Sequence, residues 1–173
     1  MKLALENPSG EVFFLSKKKR EEGIVASRES PRRRMLMPIH RRQDALVQRM
    51  LNFFQVDTYI RPHLHPREGA SETIQVISGR LAFFVFEEDG EILTSYLLER
   101  GDLIDIEACV WHGLLVLEPD TVVLEIKRGP FDASDRVFAD WAPKEGTSGI
   151  TDFLEELRAG LDESASPRCF LKP

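Results

Sequence analysis

A chain of 173 residues with a net charge of −6, 42% hydrophobic and 30% charged, has the size and balance of one soluble globular unit that buries its own core without staples. That charge argues against wholesale nucleic-acid binding, which needs a basic field to displace counterions from phosphates, and no apolar run is long enough to span a bilayer. The opening residues lack the basic-then-apolar order of a secretory signal, because Glu6 interrupts a short apolar run, so a cytoplasmic location is the expectation.

Taken in chain order, Gly10 to Ser16 (GEVFFLS) predicts a short strand. The charged stretch KKKREEGIVASRES predicts a helix that stops at Ser30-Pro31, since the residue before proline is pushed out of the α region. Its charges read as a solvated helix face; Arg32, Arg33 and Arg34 just beyond it offer the alternative of an anion-binding rim for a carboxylate or phosphate. RMLMPIH reads as extended. In RQDALVQRMLNFF the apolar residues Leu46, Val47, Met50, Leu51 and Phe54 recur at three- and four-residue spacing, which predicts a helix with one core-facing side. From Val56 to Pro130, short runs rich in Val, Ile, Phe, Tyr and Thr alternate with turn signals at Gly69, Gly79, Gly90, Gly101 and Pro119-Asp120, the punctuation of an antiparallel sandwich or barrel. After RGPFD the chain turns polar and irregular until Thr151 to Gly160, a last amphipathic helix capped by Thr151 and ended by Gly160. Cys109 and Cys169 form no CxxC pair and read as buried or free thiols.

The chemistry concentrates in RPHLHPREGASETIQVISGR, residues 61–80. On a strand, Tyr59, Arg61, His63 and His65 share one face, so two imidazoles aim into the same space, a geometry suited to Zn, Fe, Ni, Cu or Mn. Glu72 begins the next strand beyond a turn at Pro66 to Ser71 and can bring a carboxylate beside them. His112, in GDLIDIEACVWHG, supplies a further donor. His40 lies outside this pattern and reads as a surface or outer-sphere residue; Cys109 reads as a structural thiol rather than a ligand.

His63-x-His65, Glu72 and Gly79, then Gly101-Asp102 and His112, resemble the two sequence motifs of the cupin superfamily. Within it the chain is similar to the WbuC family of cupin-fold metalloproteins, bacterial proteins often encoded among surface-polysaccharide genes. That similarity also takes in SPRRR, QRMLN, YIRPHLHP, EIKRGPF and WAPKEG, and so covers residues 26–146. The resemblance implies an all-β, cupin-type double-stranded β-helix (a jelly-roll barrel) with an N-terminal helix-strand-helix segment and a C-terminal helix. Residues 1–173 would form a single unit: an α/β extension over 1–55, the barrel core over 56–130 and a C-terminal extension over 131–173. It implies a divalent transition metal (Fe, Mn, Ni or Zn) held by His63, His65, Glu72 and His112. The sequence departs from the general motif in having six residues between His65 and Glu72, and Glu107, Cys109 and Val116 where proline, glycine and asparagine are usual.

Three imidazoles and a carboxylate leave open positions on an octahedral ion for water, dioxygen or a bidentate ligand. Tyr59 and Arg61 are then the candidate catalytic residues, Arg61 pairing with an anionic group and Tyr59 donating a proton or packing. The expected function is isomerase or dioxygenase-like chemistry on a small, anionic or carbohydrate, oxygenated compound such as a sugar or sugar acid. The alternative is a ligand-binding or regulatory protein with a structural metal. A homodimer is expected, with the strand at Gly10 to Ser16 free to extend a sheet within the chain or in a second subunit.

Overall fold

The computed structural model describes residues 2–161; Cys169 lies outside them. Alternating apolar residues, broken by turns at glycine, fold the chain into two five-stranded antiparallel sheets. In spatial order, the first contains β1 (Arg34–Pro38), β2 (Val47–Phe54), β9 (Thr121–Arg128), β4 (Glu72–Ser78) and β7 (Leu103–Ile106). The second contains β10 (Val137–Phe138), β3 (His63–Leu64), β8 (Trp111–Val116), β5 (Leu81–Phe86) and β6 (Ile92–Leu98). Apart from the β1–β2 and β5–β6 hairpins, each strand along the chain passes to the opposite sheet, the winding of a jelly roll.

The facing sides of the sheets close over Phe54, Ile74, Val76, Leu81, Phe83 and Leu114. Both outer faces are apolar as well, so each is covered by a helix. Helix α1 (Lys17–Glu29) lays Ile24 on Met37, Leu51, Phe53 and Val122 of the first sheet. Ser16 caps it by accepting from the Lys19 amide, and it ends at Ser30 before Pro31, as expected. Helix α2 (Ile150–Ala159) packs Leu154 and Leu157 on Phe84 and Leu115 of the second sheet.

Several local expectations are corrected. Gly10 to Ser16 forms no strand: Phe13 and Leu15 pack under α1 while Val12 and Phe14 stay 84% and 74% exposed. The chain instead meets the sheet earlier, where the Leu5 amide donates to the Leu36 carbonyl at 2.8 Å. Residues expected to form the second helix make strand β2, paired with β1 on one side and β9 on the other. The run looked helical because a central strand is apolar on both faces: Met50 and Phe54 point between the sheets, and Leu51 and Phe53 toward α1. Leu46 and Val47, counted in the supposed helical face, are 75% and 52% exposed. The first sheet therefore reaches back to Arg34. Beyond the barrel, the stretch expected to be irregular contains β10, paired with β3. Gly149, not Thr151, precedes α2 and no side chain caps it, while Gly160 ends it as expected.

Candidate metal centre

The site is assembled from both sheets. His63 opens β3 and faces His112 of β8 across the ladder; Glu72 opens β4 in the opposite sheet, between Lys127 of β9 and Ile106 of β7. His65 follows β3. All four are buried, and one donor atom of each lies within 4.8 Å of those of the others. The long turn before Glu72 therefore does not carry the carboxylate away.

Each imidazole is anchored the same way. Nδ1 of His63 donates to the Arg61 carbonyl (3.0 Å), that of His65 to Asp135 (2.8 Å) and that of His112 to Val110 (2.8 Å). A carbonyl only accepts, so each neutral ring keeps its proton on Nδ1 and presents the bare Nε2 lone pair. Those lone pairs converge beside the Glu72 carboxylate, whose Oε2 is 3.0 Å from His65 Nε2 and 3.7 Å from His112 Nε2. Four electron-rich donors around one point repel one another unless a cation sits among them, and three imidazoles with a carboxylate suit a divalent transition metal. Phe83, 5.7 Å from the His112 ring and nearly parallel to it, walls the group from the core.

Burial by itself would push the Glu72 carboxyl up, but its contacts with His112 and His65 and the charge of Lys127 outweigh burial and hold it well below the usual carboxylate range. Burial, and next the neighbouring His112, lower the His63 pKa to about 3. Because the folded state refuses this proton while the unfolded chain accepts it near 6.5, stability falls as pH drops from 6.5 toward 3. Metal-free protein is therefore expected to lose about 2 kcal/mol between pH 7 and pH 5, read as a falling urea midpoint.

Three of the four, His63, Glu72 and His112, line a cavity of about 700 Å³ between the sheets. Arg61 lines it too, its guanidinium donating to the Ala139 carbonyl. Tyr59 does not: it lies on the outer side of the second sheet, 6.1 Å from the Phe153 ring, with its hydroxyl donating to the Pro143 carbonyl and burial pushing its pKa up to about 12. The expected alternation fails there because regular pairing begins only at His63, so Ile60 rather than Tyr59 faces the cavity. Of the arginine run, Arg32 and Arg34 reach the cavity and pair with Glu145, whereas Arg33 turns away to Asp57. His40 is buried rather than at the surface, its Nδ1 accepting from the Arg49 amide. Cys109 is an exposed free thiol outside the cluster.

Other cavity residues did not emerge from the sequence. Glu125 and Lys127 project from β9, 2.8 Å apart, and Asn52 of β2 donates to Glu125 at 2.6 Å. Burial, opposed by Lys127 and reinforced by Glu72, raises the Glu125 pKa. Arg136 and Phe138 complete the wall: the guanidinium carbons of Arg61 and Arg136 sit 5.8 and 5.6 Å from the Phe138 ring centre, and that ring is 6.0 Å from His63. Alternation in TVVLEIKR could have flagged Glu125 and Lys127 as sharing one face with Val123.

Residues 15–98 match the model of a domain of unknown function, DUF6016. No curated protein matches the chain. Among solved structures, an uncharacterized conserved protein with a double-stranded β-helix domain from Klebsiella pneumoniae is 17% identical; the match covers 75% of this chain and 99% of that one, with a TM-score of 0.54. The fold is that of a cupin. KdgF from Halomonas sp. (19% identical, 61% of this chain and 87% of that one, TM-score 0.49) and an RmlC-like cupin from Desulfovibrio desulfuricans (19%, 54% and 79%, 0.43) also align with it. Among the described residues, no helix is long and apolar enough to cross a membrane.

Proposed function

We propose that this cupin, read as a member of the WbuC family, holds a divalent Fe, Mn, Ni or Zn ion through His63, His65, Glu72 and His112 and acts there on a small anionic oxygenated compound. The observation that carries the reading is the convergence of three Nε2 lone pairs, each fixed by an Nδ1–H to a backbone carbonyl, on one buried carboxylate. Such an ion supplies Lewis acidity toward a carbonyl or hydroxyl, which suits isomerase or dioxygenase-like chemistry.

The chain's own residues select the charge of the ligand. Arg61 and Arg136 flank Phe138 beside the histidines, and Arg136 has no carboxylate partner among the described residues. Two guanidiniums on an aromatic wall offer forked donors to a carboxylate or phosphate. A place in surface-polysaccharide metabolism and a homodimeric state belong to the same reading, the exposed Val12 and Phe14 offering apolar surface for self-association.

The test is metal analysis of the purified protein followed by calorimetric titration with lactate, an α-hydroxy acid. One equivalent of a transition metal is expected, with lactate binding weakened about tenfold in Arg136→Gln. Protein that takes up none of these ions and binds no lactate overturns the proposal. Turnover of a sugar acid that disappears with the metal separates an enzyme from a ligand-binding cupin whose metal is structural.

A further inference from the structure

The space between the sheets of a jelly roll is normally filled by apolar side chains, and away from the histidines this one is, with Val76, Leu81, Leu98 and Val116. Next to the histidines the same face of the first sheet changes character. Across β4, β9 and β2 the inward-facing row reads Glu72, Lys127, Gln48; the next reads Ile74, Glu125, Met50; and the third brings in Asn52 beside Val123. Only Glu72 of these belongs to the proposed metal centre. Polar groups kept in a sheet interior cost free energy unless they are bonded, and each bond made here leaves capacity unused.

Glu125 turns Oε1 to Lys127 and Oε2 to the Asn52 amide and also lies against the Glu72 carboxyl, so its acceptor capacity is only partly used. Lys127 has three N–H donors and one short partner in Glu125. Asn52 is 8% exposed, and Glu125 and Lys127 are only partly buried, 12% and 22% exposed at the side chain, so all three polar heads meet the cavity. Acceptors and donors therefore alternate along one wall that runs on from Glu72 across β9 and β2. A hydroxyl both donates and accepts, and a run of vicinal hydroxyls matches such a wall better than a second carboxylate would, because the Glu125 and Glu72 oxygens would repel it.

We infer that Asn52, Glu125 and Lys127 form a hydroxyl-recognition wall, so that the ligand is a polyhydroxylated acid whose acidic head lies at the metal and arginines and whose polyol tail lies along β2 and β9. This rests on the metal-centre reading above and adds the tail.

The experiment compares two acids with the same six-carbon skeleton and the same α-hydroxycarboxylate head, D-gluconate and 2-hydroxyhexanoate, by calorimetric titration of metal-loaded protein. Gluconate is expected to bind at least about tenfold more tightly, the worth of one or two well-made hydrogen bonds. In Asn52→Leu, which keeps the number and branching of the side-chain heavy atoms and touches no proposed ligand of the ion, that preference is expected to vanish or reverse while metal content and affinity for 2-hydroxyhexanoate hold. Glu125→Gln, which keeps the shape of the wall, is a second variant and should also narrow the ratio. Equal affinities in the unaltered protein, or a gluconate preference untouched in both variants, overturn the wall while leaving the metal centre standing. Failure of both acids to bind metal-loaded protein overturns the anionic-ligand reading along with it.

Discussion

Replacing His112 by alanine is expected to weaken transition-metal binding by more than about a hundredfold, beyond the usual effect of losing an outer-sphere partner. His112 is the hinge of the cluster: it pairs with His63 across β3 and β8, lies opposite Val85 of β5, stacks on Phe83 and is oriented by its bond to the Val110 carbonyl. Without it, His63, His65 and Glu72 remain, but the donors from the second sheet all come from the β3 segment. At free metal a thousandfold above the original dissociation constant, binding confers about 4 kcal/mol, and a hundredfold weaker site would lose about 2.7 kcal/mol of it. Elemental analysis after gel filtration and thermal melts with and without metal read both effects. Cys109→Ser is the matched control: that thiol is exposed and outside the cluster, so its metal content should be unchanged. Full metal content in His112→Ala would refute the assignment, and loss in Cys109→Ser would redirect it.

How much of this was legible in the sequence depended on which periodicity each segment carried. His63 and His65 could be placed because alternation holds from His63 onward, and Glu72 because the strand it opens is bounded by a clear turn. That the Glu72 carboxylate would be buried was not legible: burial follows from β4 lying between β9 and β7, a non-local pairing that no local pattern states. The same limit hid the cavity's other wall. Asn52 belongs to a strand whose two apolar faces imitate a helical stripe, and Glu125 and Lys127 look like surface charges until β9 is found in the middle of its sheet. Tyr59 departs from the pattern for the opposite reason: strand alternation does not reach upstream of Pro62, where the chain has no ladder to enforce it.

Gly79 links the fold to the site, and its replacement by alanine should be strongly destabilising. The residue turns the chain from β4, which carries Glu72 in the first sheet, to β5, which lies beside His112 in the second. Its φ is +82°, a left-handed conformation that costs an L-residue about 1–2 kcal/mol. A Cβ there would also stand 2.2 Å from Thr121 Oγ1 and 2.7 Å from the Thr121 Cα. The Thr121 hydroxyl cannot simply swing aside, since it accepts from the Arg80 amide at 3.1 Å and donates to the Glu118 carbonyl at 2.7 Å. Overpacking of this kind adds about 1–3 kcal/mol and loss of those bonds about 1 more. A total of about 4 kcal/mol corresponds to a melting temperature lower by about 10 °C for a chain of this size. Because one clash is with backbone, adding Thr121→Ala to Gly79→Ala should recover little; recovery to within about 1 kcal/mol would mean that the side-chain clash alone sets the cost. Moving β4 against β5 also moves Glu72 relative to His112, so Gly79→Ala should weaken metal binding without touching a ligand.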